Sequence, residues 1–110
     1  MFIKDKRGAF IGICQESWAE VNFIKTAAGQ LRGNHYHKET KELFFIISGR
    51  ISVVVESTST GEKTEFTAEA NDMFMIEPGE LHTFYTLTDA EWLNMLSIPM
   101  DNTNPDLHRK

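Results

Sequence analysis

The chain has 110 residues, 41% of them hydrophobic and 25% charged, with a formal net charge of -5 at pH 7. A length of this order has room for one small domain, residues 1–110, burying roughly 60 to 70% of its unfolded surface. The acidic balance without a basic cluster argues against sequence-independent binding to nucleic acid or to an anionic membrane. The longest apolar run, LFFII at residues 43–47, falls far short of the about 20 residues that a membrane-spanning helix needs.

The N-terminal stretch MFIKDKRGAF carries charges where a secretory peptide needs its apolar core, so a cytoplasmic protein is expected. Residues 1–20 read as an N-terminal strand segment flanking the rest. Within them DKRG at residues 5–8 is a turn, residues 9–13 a strand and residues 15–20 a loop. Cys14, the only cysteine, cannot form an internal disulfide and sits among apolar residues, where a small buried core residue is expected. Next come VNFIKT as a strand, a turn at residues 27–30, and a strand carrying His35 and His37. The polar stretch at residues 38–41 breaks the chain before Glu42, which opens the strand ELFFII.

On that strand Phe44 and Ile46 share the face of Glu42, while Leu43, Phe45 and Ile47 point the other way. Both faces are apolar, so both need cover. One lines the interior; the other faces a second sheet or a second subunit, and a homodimer is expected. Ser48 and Gly49 read as a tight hairpin into RISVVVE. STSTGEK is a polar loop, followed by the strands TEFTAE, DMFMIE, LHTFYTLT and EWLNMLSI. The polar tail, residues 101–110, is expected to fray or to pack as an irregular segment, leaving His108 in solvent. Seven to nine short strands with no helical stripe indicate an all-β sandwich or barrel.

Four residues carry the candidate chemistry. His35 and His37 are one residue apart, so on an extended strand both imidazoles leave one face, roughly 7 Å apart. Glu42 returns on the next strand, bringing a carboxylate beside them. His82 follows a Pro-Gly turn in IEPGELHTFY, where another apolar strand starts. Glu39 competes with Glu42, since it would share the histidines' face if their strand ran on unbroken. Tyr36 alternates away from both histidines and reads as structural. Phe84 and Thr86 share the face of His82.

These residues resemble the two motifs of the cupin superfamily. Gly29, His35, His37, Glu42 and Gly49 fill every fixed place of the first: glycine, five residues, His-x-His, four residues, Glu, six residues, glycine. The second is matched by Gly79 and His82, while Asn71, Glu77 and Thr86 stand where glycine, proline and asparagine are usual; Pro78 falls one place late. The resemblance implies a cupin-type jelly-roll β-barrel, also called a double-stranded β-helix. It implies a divalent metal held by His35, His37, Glu42 and His82, and the motif register prefers Glu42 over Glu39. Three imidazoles and one carboxylate suit Fe, Mn, Ni, Co or Zn, without choosing among them.

The segments DKRGAF, AAGQLRGNHYHKETKELFFIISGRISV and MDNTNPDL are also similar to small cupins of nucleotide-sugar metabolism. Among those are the cupin domain of a capsular polysaccharide nucleotide-sugar epimerase and the sugar nucleotide ketoisomerases. That likeness implies an epimerase or isomerase acting on a keto sugar or nucleotide sugar through an enediolate, with a small polar or carbohydrate ligand. The base is unassigned, with His35, His37 and Glu39 as candidates; a metal-free variant would use the His-x-His pair as acid and base. Two other readings stay open: a small-ligand-binding or sensing cupin without turnover, and a metal-dependent dioxygenase.

Overall fold

Ten strands form, and none of the elements is a helix, in the computed structural model, which describes residues 1–110. The first two, β1 (Phe2–Asp5) and β2 (Gly8–Ile11), pair as a two-stranded ribbon. Then follow β3 (Glu20–Thr26), β4 (Leu31–His35), β5 (Glu42–Ser48), β6 (Arg50–Ser57), β7 (Lys63–Glu69), β8 (Met73–Ile76), β9 (Glu80–Thr86) and β10 (Ala90–Leu96). They build two four-stranded sheets, ordered β3-β10-β5-β8 and β4-β9-β6-β7, and every pairing is antiparallel. This is the all-β jelly roll, formed as two facing sheets and not as a closed barrel. No helix is long and apolar enough to cross a membrane.

Period-two alternation places the core. Phe44 and Ile46 of β5, Ile51 and Val53 of β6, Phe84 of β9 and Trp92 of β10 meet between the sheets, all buried. Ala68 and Ala90 fill the places between these larger side chains. The opposite face of β5 is also covered: Leu43 and Phe45 join Met95, and Ile11, Ile13 and Trp18 pack onto them. The chain's own N-terminal segment supplies this cover for Leu43 and Phe45, while Ile47 on the same face remains exposed. Residues 1–20 are accordingly two short strands and an apolar crossing segment, where a single strand was expected. Cys14, in the same segment, is exposed and outside the core, because its neighbours Ile11 and Ile13 take the inward positions.

Gly49 corrects a second expectation. It does not close a hairpin, because β5 and β6 belong to different sheets. At φ 91° it turns the chain across the edge of the sandwich, with a position for Cβ only 2.3 Å from the Asp89 carbonyl oxygen. Only glycine fits a left-handed corner against another strand's backbone. Consecutive β-rich arms were read as partners, whereas in this topology they face each other across the core.

The degraded second motif keeps its geometry with other residues. Asn71 adopts φ 73°, a left-handed conformation that asparagine tolerates better than most residues. Pro78 and Gly79 occupy a turn in which Glu80 N–H donates to the Glu77 carbonyl, with Gly79 at φ 84°, as a type II turn requires. Thr86 ties the 27–30 turn to β9: its hydroxyl donates to the Ala27 carbonyl at 2.6 Å and accepts from Gln30 N–H at 3.0 Å.

Candidate functional site

One end of the sandwich is open, and there β4, β5, β9 and β10 place their polar residues around a cavity of about 250 Å³. A β-bulge decides which of them face it. Gly33 pairs with Thr83 and His35 with His82, so Asn34 is the extra residue, and both Gly33 (φ 88°) and Asn34 (φ 60°) are left-handed. Without the bulge Asn34 would stand opposite His82. With it, the His35 and His82 rings lie 4.6 Å apart, centroid to centroid.

The structure brings His35, His37, Glu42 and His82 together, each offering one ligand atom, with these atoms all within 4.8 Å of one another. His37, Glu42 and His82 are buried and His35 partly so. His37 Nε2 lies 2.5 Å and His82 Nε2 3.3 Å from the same carboxylate oxygen, Glu42 Oε1. The far nitrogens are turned outward: His37 Nδ1–H donates to the Asp106 carbonyl, and His82 Nδ1–H to the Glu80 carbonyl at 3.3 Å. Such acceptors fix the ring tautomer and aim Nε2 at the common point, the arrangement that metal-binding histidines require. Asn94 Nδ2 donates to the second carboxylate oxygen, Glu42 Oε2, at 2.5 Å. The donor set therefore fits a divalent cation: three imidazoles, one anion, and outer partners that hold three of the four.

The electrostatics divide the histidines. Burial, followed by the neighbouring imidazoles of His82 and His37, lowers His35 to about 4. Burial also lowers His82, against the pull of Glu42. Burial works against a charge on His37 too, yet the hydrogen bonds to Glu42 and to the Asp106 carbonyl raise it above the ordinary value. For Glu42, burial is outweighed by the His37 hydrogen bond and by the charges of His82 and His37, so its carboxyl is lowered. His35 and His82 are thus neutral near pH 7 with lone pairs free, whereas the Glu42 carboxylate favours the charged form of His37.

Glu39 stands apart from this group. It is exposed in the turn after His37, its N–H donates to Asp106 Oδ2 at 2.9 Å, and it lines a separate depression beside Pro99 and Asp101. Tyr36 makes backbone bonds in both directions with His108. His108 is correspondingly only partly solvated: it packs against the Tyr36 ring and its Nε2 lies 3.0 Å from Asp106 Oδ1. The tail does not fray, since Asp106 collects the N–H groups of residues 38–40. Phe84 lines the cavity; Thr86 does not.

Sequence reasoning missed several lining residues. Arg32 is the cation of the cavity wall, its Nε donating to Thr26 Oγ1 at 2.7 Å. Asn22 and Asn94 link Glu20 to Glu42 along one wall. A lone amide within the apolar run WLNML was a signal for Asn94; nothing in the polar tail marked Asp106.

A jelly roll that gathers His-x-His and Glu from one motif and His from a second is a cupin. Residues 3–106 match the model of the polysaccharide biosynthesis C-terminal domain family, and the chain belongs to that family. Its structure is similar to that of the capsular polysaccharide assembling protein CapF from Staphylococcus aureus, with a TM-score of 0.78 and 22% identity over 99% of this chain and 32% of that one. The chain spans about a third of the length of that relative. It is similar also to QdtA, a sugar 3,4-ketoisomerase from Thermoanaerobacterium thermosaccharolyticum in complex with TDP, with a TM-score of 0.84 and 19% identity, covering 100% of this chain and 83% of that one. A dTDP-4-dehydrorhamnose 3,5-epimerase from Sulfolobus tokodaii gives a TM-score of 0.76 and 24% identity over 93% and 69% of the two chains. At such identities these likenesses speak for the fold. No curated protein sequence matches the chain.

Proposed function

We propose that residues 1–110 are a metal-binding cupin domain that epimerises or isomerises a keto sugar, nucleotide-linked in its natural form. The observation that carries this reading is the convergence of His35, His37, Glu42 and His82 at the wall of a cavity large enough for a sugar ring. Support comes from relatives of the same fold that are by name a sugar 3,4-ketoisomerase and a sugar 3,5-epimerase.

His35, His37, Glu42 and His82 would hold the divalent transition ion, Fe, Mn, Ni, Co or Zn. When bound, such an ion supplies Lewis acidity toward a carbonyl oxygen, easing the formation of an enediolate. The chain's own residues do the rest. Phe44, Phe84 and Trp92 form an apolar floor that excludes water from the sugar ring. Arg32 offers positive charge to an anionic substituent. With all three imidazoles engaged, Glu20 is the remaining carboxylate on the wall; it would take the proton alpha to the carbonyl and leave the electron pair in the enediolate. Return of a proton to the opposite face gives the epimer, and to the former carbonyl carbon the isomer.

A second reading keeps one observation in its favour. His37 Nε2 already faces Glu42 Oε1 at 2.5 Å, so each group has a partner without a cation, and the His-x-His pair would then act as acid and base. We retain the homodimer as a further proposal, since Val21 and Phe23 on the outer face of β3 expose 60% and 57% of their surface; sedimentation tests it.

The deciding experiment offers nucleotide-linked 4-keto sugars to the chain in deuterated water. Deuterium entering the carbon alpha to the carbonyl, abolished by a chelator and restored by one divalent metal, is expected. Full exchange in chelator leaves the second reading, and binding without any exchange leaves a ligand-binding domain.

A further inference from the structure

The tail is stitched to the site at more points than a terminal segment needs for packing. The Asp106 carboxylate accepts from the N–H groups of Lys38, Glu39 and Thr40 at 2.9, 2.9 and 3.0 Å, and from the Thr40 hydroxyl at 3.0 Å. His108 exchanges two backbone hydrogen bonds of 2.9 Å with Tyr36. Beyond it Arg109 Nη1 donates to the Asn34 carbonyl at 3.1 Å, and Lys110 pairs with the buried Glu56 carboxylate at 2.7 Å. Between the first two anchors Leu107 lines the cavity.

This stitching fixes one atom of consequence. The Asp106 main-chain carbonyl is the acceptor for His37 Nδ1–H. An imidazole carrying its proton on Nδ1 presents Nε2 to the site, whereas the other tautomer would block it with a hydrogen. The His37 ring has no other partner on that side, and its loop, residues 36–40, holds no regular secondary structure beyond the Tyr36 bridge. We propose that residues 105–110 form a strap that positions His37, with Asp106 as its anchor: the carboxylate pins the strap to the 38–40 turn, and the carbonyl then selects the proton position and orientation of the ring. The strap comes from the far end of the chain, so an intact His-x-His segment is not sufficient to aim its second histidine. This inference rests on the reading of His37 as a site residue, but not on which ion or sugar it meets.

The test is proton and nitrogen-15 NMR of the full chain as wild type and as Asp106→Ala, beside zinc affinity by competition with a chromophoric chelator. The wild type is expected to show a slowly exchanging His37 Nδ1–H resonance with and without zinc. In Asp106→Ala that resonance broadens into solvent exchange, while the His82 Nδ1–H resonance, held by Glu80, persists; the zinc Kd rises by about 10- to 100-fold. Asp106→Asn, which keeps one acceptor oxygen, falls between. An unchanged His37 resonance in Asp106→Ala overturns the proposal, as does its loss with zinc affinity kept within twofold. If the wild type takes up no zinc, the metal reading fails and the resonance alone decides the role of the strap. Should Asp106→Ala not fold, Thr40→Val removes one bond to the same carboxylate and is expected to shift both readouts in the same direction by a smaller amount; no shift in either overturns the proposal.

Discussion

Asn94 Nδ2 donates to Glu42 Oε2 across 2.5 Å, and that bond leaves the other carboxylate oxygen facing His37 and His82. The amide is itself oriented, since Asn22 donates to Asn94 Oδ1 at 3.4 Å and to Glu20 Oε2 at 2.8 Å. Asn94→Leu keeps the branched shape, at somewhat larger volume, without the donor. It is expected to destabilise the fold by about 1–3 kcal/mol, because a buried acceptor loses its partner. Zinc affinity is expected to fall about 10- to 100-fold, because the carboxylate loses its fixed rotamer. Thermal unfolding and calorimetric titration check the two effects separately.

The bulge between β4 and β9 predicts an unusual deletion phenotype. Removing Asn34 restores regular pairing and leaves His35 directly opposite His82, on the same face of the sheet, because the deleted residue is the unpaired one. The deletion variant is expected to fold and to bind zinc more tightly than His35→Ala; an affinity no better than that of His35→Ala would mean that the bulge itself aims the His35 ring. Gly33→Ala keeps the bulge but places Cβ 2.7 Å from the His82 carbonyl oxygen, at φ 88°. We expect a loss of roughly 1–3 kcal/mol in urea unfolding.

Gly49 sets the corner between the sheets. Its Cβ would stand 2.3 Å from Asp89 O and 2.7 Å from Ala90 Cα, both backbone atoms that cannot step aside. Gly49→Ala is therefore expected to cost at least about 2 kcal/mol, more than an alanine introduced at Gly61, which has open space around it. A paired measurement of the two urea midpoints decides it; equal losses would mean that the corner relaxes freely.

Acid should act on the strap. Burial alone would raise the Asp106 carboxyl, but the hydrogen bonds from Lys38, Glu39 and Thr40 outweigh it and hold it well below its ordinary value of 3.8. A group with a depressed folded value stabilises fully above its unfolded value and loses that contribution as the pH falls below it. The melting temperature of the wild type should exceed that of Asp106→Asn by a constant margin above about pH 5, and the margin should shrink as the pH falls below about 4. A margin that is flat down to pH 2 would contradict this.

The elements that were legible in the sequence are those written in local pattern. Alternation in RISVVVE and in LHTFYTLT marked β6 and β9, and the spacing of His35, His37 and Glu42 marked one side of the site. What was not legible depends on distant chain. The Gly49 corner looks like a hairpin until the partners of β5 are known to be β8 and β10. The bulge at Gly33 and Asn34 leaves no trace in hydrophobic pattern, because both residues are turn formers in a strand already polar. Asp106 acts on residues 68, 67 and 66 positions away, a relation that no local window contains. Glu39 was attractive because an unbroken strand would have carried it to the histidines; the turn capped by Asp106 takes it outside.

We propose above all that His35, His37, Glu42 and His82 hold one divalent transition ion. Elemental analysis of the purified chain, stripped with chelator and then reloaded separately with Fe, Mn, Ni, Co and Zn, tests it most directly. Close to one equivalent per chain is expected for at least one ion, falling to background in Glu42→Gln and in His37→Ala. Background levels in the wild type for all five, or full occupancy in both variants, would contradict it.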